Sequence, residues 1–337
     1  MVSDEERKVY SQWTEVDGDL TACDPDTAHI ILESRLMFCK NDRSRSKYWS
    51  IPDGVDCLND LAYQEDGLRS HKLDLYLPHD AVLRNGKSLP VYIDIHGGGF
   101  MYGHKELNRN FCTHLAKTGF AVFSINYTLM PQAGFMEQLR EVELALAWIK
   151  THLNQYPVSQ DRVFITGDSA GATLGLYALA IEGSEQFAHT LDIAQSQLHP
   201  MGAAFVSGLF NLNPYVSMRP GSFTPEGLET DGLKLLAPNF FRTFKENGGE
   251  QLANLSYITA EAQLPPIFLN TSSDDFLQAE TLNLALALDK QGCEFELHDV
   301  HVGKTQVLGH VYPVAMTWLE ESQQTLQEIQ AFSYSLL

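Results

Sequence analysis

Basic residues are scarce in this chain. It carries 23 Lys and Arg against 43 Asp and Glu over 337 residues, a formal charge of −20. Phosphate backbones and anionic bilayers are bound by basic patches, so neither nucleic acid nor a membrane surface is an expected partner. The acidity reads as a solubility device. Cysteine is sparse as well: Cys23, Cys39, Cys57, Cys112 and Cys293 are odd in number and scattered, with no CxxC pair. That pattern disfavours a disulfide framework or a zinc site and predicts reduced thiols in a cytoplasm. No apolar run approaches the ~18 residues of a membrane span. The polar start MVSDEERKVYSQ does not read as a secretory signal. Repeats and low-complexity tracts are missing, and so are GxxxxGK[ST] and GxGxxG, which removes the usual nucleotide-phosphate cradles.

What is present reads as a soluble globular protein: 44% of residues are hydrophobic and 20% charged. The expectation is one large α/β domain over 1–337 with two additions. Residues 1–50 read as a helical cap segment, in which Asp24-Pro25 makes an N-cap followed by proline at the first helical position. LDLYLP (73–78) alternates apolar and polar residues as a half-buried strand does. Further strands are expected at LPVYIDI (89–95), AVFSINY (121–127), DRVFIT (161–166), GAAFVSGLF (202–210), PPIFLNTS (265–272) and CEFELHDV (293–300). Helices are expected at 136–153 and 313–331. Strands alternating with helices imply a mostly parallel central sheet with helices on both faces. Residues 211–256 break the alternation and exceed an ordinary connection, which marks them as a lid insertion.

Two glycine motifs carry chemistry. Gly167-Asp168-Ser169-Ala170-Gly171 is a GxSxG pentapeptide placed between the strand RVFIT and a helix of small residues. A sharp strand-to-helix turn there exposes the serine hydroxyl at the strand tip. His96-Gly97-Gly98-Gly99-Phe100 follows the strand VYIDI directly. Three glycines leave backbone N–H groups free to face a developing oxyanion, and His96 reads as a structural holder of that loop.

HGGGF, NYTLMP (126–131) and GDSAG, in this order, resemble the α/β-hydrolase superfamily, above all its hormone-sensitive-lipase-like and bacterial carboxylesterase families. LDLYLP ahead of HGGG is similar to the opening strand of the feruloyl/acetylxylan-esterase (BD-FAE-like) and arylformamidase branch. The resemblance covers roughly residues 70–330 and implies an α/β-hydrolase fold with a helical lid or cap. It also implies the chain order Ser, acid, His. Ser169 is then the nucleophile. Asp275, in the D-x-L of Asp275-Phe276-Leu277, is the acid, with Asp274 as alternative. His310, in His310-Val311-Tyr312 before the last helix, is the base, with His301 as alternative. His298 falls in a strand body, and His298 with His301 lacks a third metal ligand. Two departures stand out: relatives often carry Arg where Thr128 stands, and Gly where Val311 stands.

The activity implied is that of a serine carboxylesterase acting on short-to-medium acyl or aryl esters, with no metal and no cofactor. The oxyanion donors are Gly98, Gly99 and Ala170. Expected pocket residues are Phe100, Tyr102, Asp168, Phe240 and Phe241, the last two on the lid stretch LKLLAPNFFRTF. The partner is a small-molecule ester, and a homodimer stays open. An arylformamidase-type amide hydrolase and a non-catalytic ligand-binding homologue are the alternatives.

Overall fold

The computed structural model describes residues 18–79, 88–219 and 232–337. The start of the expected cap (1–17) and part of the expected lid (220–231) lie outside the described residues. Helix α1 (Pro25–Ser46) starts where the sequence places it, with the Asp24 carboxylate accepting the Thr27 N–H at 3.0 Å. This satisfies one of the orphan donors at a helix start.

Eight strands form one sheet: β1 (Val55–Ala62), β2 (Lys72–Pro78), β3 (Leu89–Ile95), β4 (Ala121–Ile125), β5 (Val158–Asp168), β6 (Gly202–Val206), β7 (Ile267–Ser272) and β8 (Phe295–Val300). Their spatial order is β1-β2-β4-β3-β5-β6-β7-β8, and every neighbouring pair from β4 to β8 is parallel. The β1–β2 and β2–β4 pairs are antiparallel. Strand alternation divides the core in two. Val91, Ile93 and Ile95 face one side, with α3 (Phe135–His152) and α4 (Ala170–Glu182). Tyr92, Val122 and Phe164 face the other, with α2 (Lys105–Lys117) and the last long helix (Glu320–Ser335). Both faces are covered, as a largely parallel sheet requires. The fold is that of an α/β hydrolase.

The differences from the expected elements have physical causes. β2 is buried on both faces, because its polar positions meet charges from α2 in place of water. The Asp74 carboxylate contacts Lys105 Nζ at 2.7 Å and Arg109 Nη2 at 3.1 Å, and accepts the Tyr76 hydroxyl at 3.0 Å. β1 has no counterpart among the expected strands. It is a largely exposed edge strand whose sequence VDCLNDLA lacks an apolar run. The expected strand 202–210 ends at Val206, and the expected helix 313–331 divides into Tyr312–Ala315 and Glu320–Ser335.

Between β6 and β7 the described residues form short helices, α5 (Asn213–Val216), α6 (Gly232–Phe240), α7 (Arg242–Glu246), α8 (Gly249–Leu252) and α9 (Leu255–Glu261). Their aromatic residues converge on Phe135 of α3. Its ring centre lies 5.9, 5.1 and 5.2 Å from those of Phe240, Phe241 and Phe244, and 5.2 Å from that of Tyr177. Phe135→Ala removes the hub of this cluster and is expected to cost about 3–5 kcal/mol, the range for a buried aromatic truncation. A urea unfolding curve, with the variant's midpoint compared with the parent's, checks this.

Candidate active site

β5 ends at Asp168 and α4 begins at Ala170, so Ser169 alone makes the turn. It takes φ 52° and ψ −120°, a sparsely populated region that costs about 1–3 kcal/mol and persists only where the surroundings enforce it. The Ser169 N–H donates to the Val206 carbonyl at 2.9 Å, which ties the turn to β6. Gly171 lets α4 pass close to β3, since a Cβ there would stand 1.9 Å from the Ile95 carbonyl oxygen. The serine is thereby placed at the carboxyl end of the parallel strands, where open α/β sheets bind ligands.

The loop after β3 reaches the same place. Gly98 has φ 118°, and a Cβ on it would fall 2.0 Å from the Tyr102 carbonyl oxygen, so only glycine fits. Its own carbonyl accepts the N–H groups of Met101 and Tyr102. The N–H groups of Gly98, Gly99 and Ala170 find no acceptor among the described residues. His96 holds the loop from below. Its Nδ1 meets the Gly97 carbonyl at 2.8 Å, and its ring stacks on Tyr127 at 4.4 Å. Burial pushes its pKa down to about 3, so the ring is neutral.

Two buried carboxylates support that loop. Asp168 Oδ1 accepts the Gly97 N–H at 3.1 Å and an Asn108 amide hydrogen at 2.9 Å. The same amide nitrogen donates to Asp94 Oδ1 at 3.1 Å, and the Ser124 hydroxyl donates to Asp94 Oδ2 at 2.8 Å. Burial, then the Asp168 charge, raise the Asp94 pKa to about 7. Burial also raises that of Asp168, offset in part by the Asn108 hydrogen bond and by His310.

Asp275, just past the end of β7, and His310 meet at the cavity, which His310 lines. Nδ1 of His310 lies 2.9 Å from Asp275 Oδ1. Burial opposes ionisation of Asp275, yet the hydrogen bond and charge of His310 hold its carboxyl below the ordinary value. Asp274 points elsewhere: it accepts the N–H groups of Leu308 and Gly309, each at 3.0 Å, and so fixes the loop that presents His310. Val311 adopts φ 52°, the left-handed conformation that a glycine would take at no cost. His301 lies exposed just beyond β8. His298 contacts Glu328 and Glu296 and stacks on Phe268 at 4.4 Å. Among the described residues no group of three His, Cys, Asp or Glu is arranged to hold a metal.

Ser169, His310, Gly98, Gly99 and Ala170 line one cavity of about 800 Å³. Phe100, Tyr102 and Asp168 line it as well. Phe240 and Phe241 do not, which corrects the expectation from sequence: both rings are spent on the Phe135 cluster, and the lid helices reach the cavity through Tyr215, Gly232, Leu233 and Lys234. Sequence reasoning placed a helical cap at 1–50 but named none of its residues as lining, and α1 contributes six. Ser34, Met37, Phe38, Asn41, Asp42 and Arg45 share one helical face and form a wall. Their three- and four-residue spacing was the available signal. Burial, offset by the Tyr102 hydrogen bond and by Arg45, lifts the Asp42 pKa to about 6. Arg35 anchors α1, its guanidinium donating to the carbonyls of Met101 and Met130, each at 2.7 Å.

Between pH 4 and about 7 the folded chain retains a proton on Asp94 that the unfolded chain has released. Asp94 therefore makes stability fall as pH rises through that window. Asp94→Asn is expected to flatten the decline, seen as a smaller slope of melting temperature against pH from 4.5 to 7.5.

Comparison with known proteins places the chain among esterase-like sequences and folds. The chain is 33% identical over 129 residues to the probable carboxylic ester hydrolase LipM of Mycobacterium tuberculosis, covering 38% of this chain and 29% of that protein. It is 25% identical over 207 residues to an acetyl esterase of Salmonella choleraesuis, covering 60% of this chain and 61% of that one. The chain thus spans less than two thirds of either relative. The fold matches esterase B of Lactobacillus rhamnosis, solved with a tributyrin phosphonate inhibitor, at a TM-score of 0.81 and 24% identity, over 93% of this chain and 96% of that one. An esterase of the bacterial hormone-sensitive lipase family matches at 0.65 and 17%, over 99% and 98%. The family model described as BD-FAE matches residues 73–280, more than half of the sequence, and the chain belongs to the BD-FAE family.

Proposed function

We propose that this chain is a serine ester hydrolase in which Ser169, His310 and Asp275 form the catalytic triad. The observation that carries the reading is the His310–Asp275 contact at 2.9 Å on the cavity that also holds the strained Ser169 turn. With Nδ1 committed to Asp275, Nε2 is the nitrogen left to take the Ser169 proton. Ser169 Oγ bonds to the acyl carbon, and the oxyanion is met by the N–H groups of Gly98, Gly99 and Ala170. The bond to the alcohol oxygen then breaks, and His310 returns the proton to that oxygen. Water, activated by the same imidazole, releases the acid and regenerates Ser169.

The name acetyl esterase, and the tributyrin phosphonate with which esterase B was solved, support short-to-medium acyl groups as the substrates of this chain. We assign the wall formed by α1 and the described helices within 211–256 to a cap over the acyl and alcohol groups. The five free cysteines fit a reducing compartment such as the cytoplasm.

Turnover of p-nitrophenyl esters from acetate to octanoate, beside N-formylkynurenine, separates ester from amide preference. The expected result is a maximum within the short-to-medium esters and labelling of Ser169 by a serine-directed phosphonate. Ser169→Ala and His310→Gln are expected to lower kcat by about 10³-fold or more, and His301→Gln by less than about twofold. Full activity in His310→Gln would remove the proposed base.

A further inference from the structure

Phe276 stands apart from the other side chains at the site. It is 77% exposed, among the most exposed large hydrophobic residues of the described chain. Its backbone is held on both sides: Asp275 is buried, and the Leu277 N–H donates to Asp275 Oδ1 at 2.8 Å. The phenyl ring lies over the His310 imidazole, with centres 4.4 Å apart and planes tilted by 43°. Phe276 also lines the cavity. Exposed on the cavity and fixed against the His310 ring, the phenyl face is open to a bound ligand.

The chemistry says where that ligand sits. When the acyl carbon leaves the alcohol for Ser169 Oγ, the alcohol oxygen takes its proton from His310. The body of the leaving group must then lie beside whatever flanks the imidazole. We propose that Phe276 forms the leaving-group subsite and selects esters of aromatic alcohols. This rests on the ester-hydrolase reading above. A benzyl ring against Phe276 gains offset or edge-to-face contact besides covered apolar area, whereas a saturated ring gains the area alone. Met37 and Leu277 line the same cavity and supply apolar surface without this geometric preference.

The test compares benzyl butyrate with cyclohexylmethyl butyrate on the full chain. The two alcohols match in size and closely in acidity, and both esters give the same butyryl enzyme, so kcat/KM isolates leaving-group recognition. The parent is expected to favour the benzyl ester. Phe276→Ala and Phe276→Leu are expected to lose about fivefold in kcat/KM on it and less than about twofold on the saturated one, whereas Phe276→Tyr keeps the preference. Equal losses on both esters, no loss on either, or a parent without the preference would overturn the proposal. A parent active on p-nitrophenyl butyrate but on neither of these esters overturns the subsite alone. A parent inert towards all three, with Ser169 unlabelled by a phosphonate, overturns the hydrolase reading and this inference with it.

Discussion

The Asp168 carboxylate accepts the Gly97 N–H at 3.1 Å, and through that bond the loop leaving β3 is tied to the turn leaving β5. Those segments come from strands adjacent in space but separated by some seventy residues of chain. Only the parallel pairing of β3 with β5, in the register Ile95 to Gly167, brings them level. The glycines follow from this closeness: a Cβ on Gly97 would lie 2.4 Å from Asp168 Oδ2. The glycine loop and the Ser169 turn are therefore held together by a local contact that needs no ligand.

Burying carboxylates beneath the glycine loop has a cost, and the surroundings determine how it is met. Asp94 and Asp168 have no guanidinium or ammonium in direct contact; they share the Asn108 amide, and one of them retains a proton near neutrality. A neutral acid beneath the loop leaves one fewer negative charge near the N–H groups of Gly98 and Gly99. Elsewhere on α2 the opposite solution is used. Fully buried Lys105 is met by Asp60, Asp74 and Glu106 at 3.0, 2.7 and 2.7 Å, and this network joins α2 to the β1–β2 corner. Asn108 lies on the same helix, so the carboxylate bridge inherits its position from the ionic one.

The sheet and the nucleophile turn were legible in the sequence because their signals are local: apolar runs of strand length, and glycines where a backbone must bend or be approached. β1 was invisible because an exposed edge strand needs no apolar run. The aromatic stretch Phe240–Phe244 was legible as apolar, but not in direction. A buried phenylalanine reads the same in sequence whether it faces a ligand or Phe135, and the choice is made by the packing of α3. The helix α1 was legible as a cap segment, but the chemistry of the face it turns to the cavity was not an obvious lining. Its cavity face mixes Met37 and Phe38 with Asn41, Asp42 and Arg45, so its pattern is that of a solvated helix, although a cavity covers it.

Asp274 gives the loop before His310 a property of its own. By gripping the N–H groups of Leu308 and Gly309, it sets the imidazole from the side of β7 and not through the chain that leads in from β8. Residues 303–307 are largely exposed and carry no part of that anchorage. Length and composition can drift there without moving the ring, which makes the segment a natural graft point for foreign sequence.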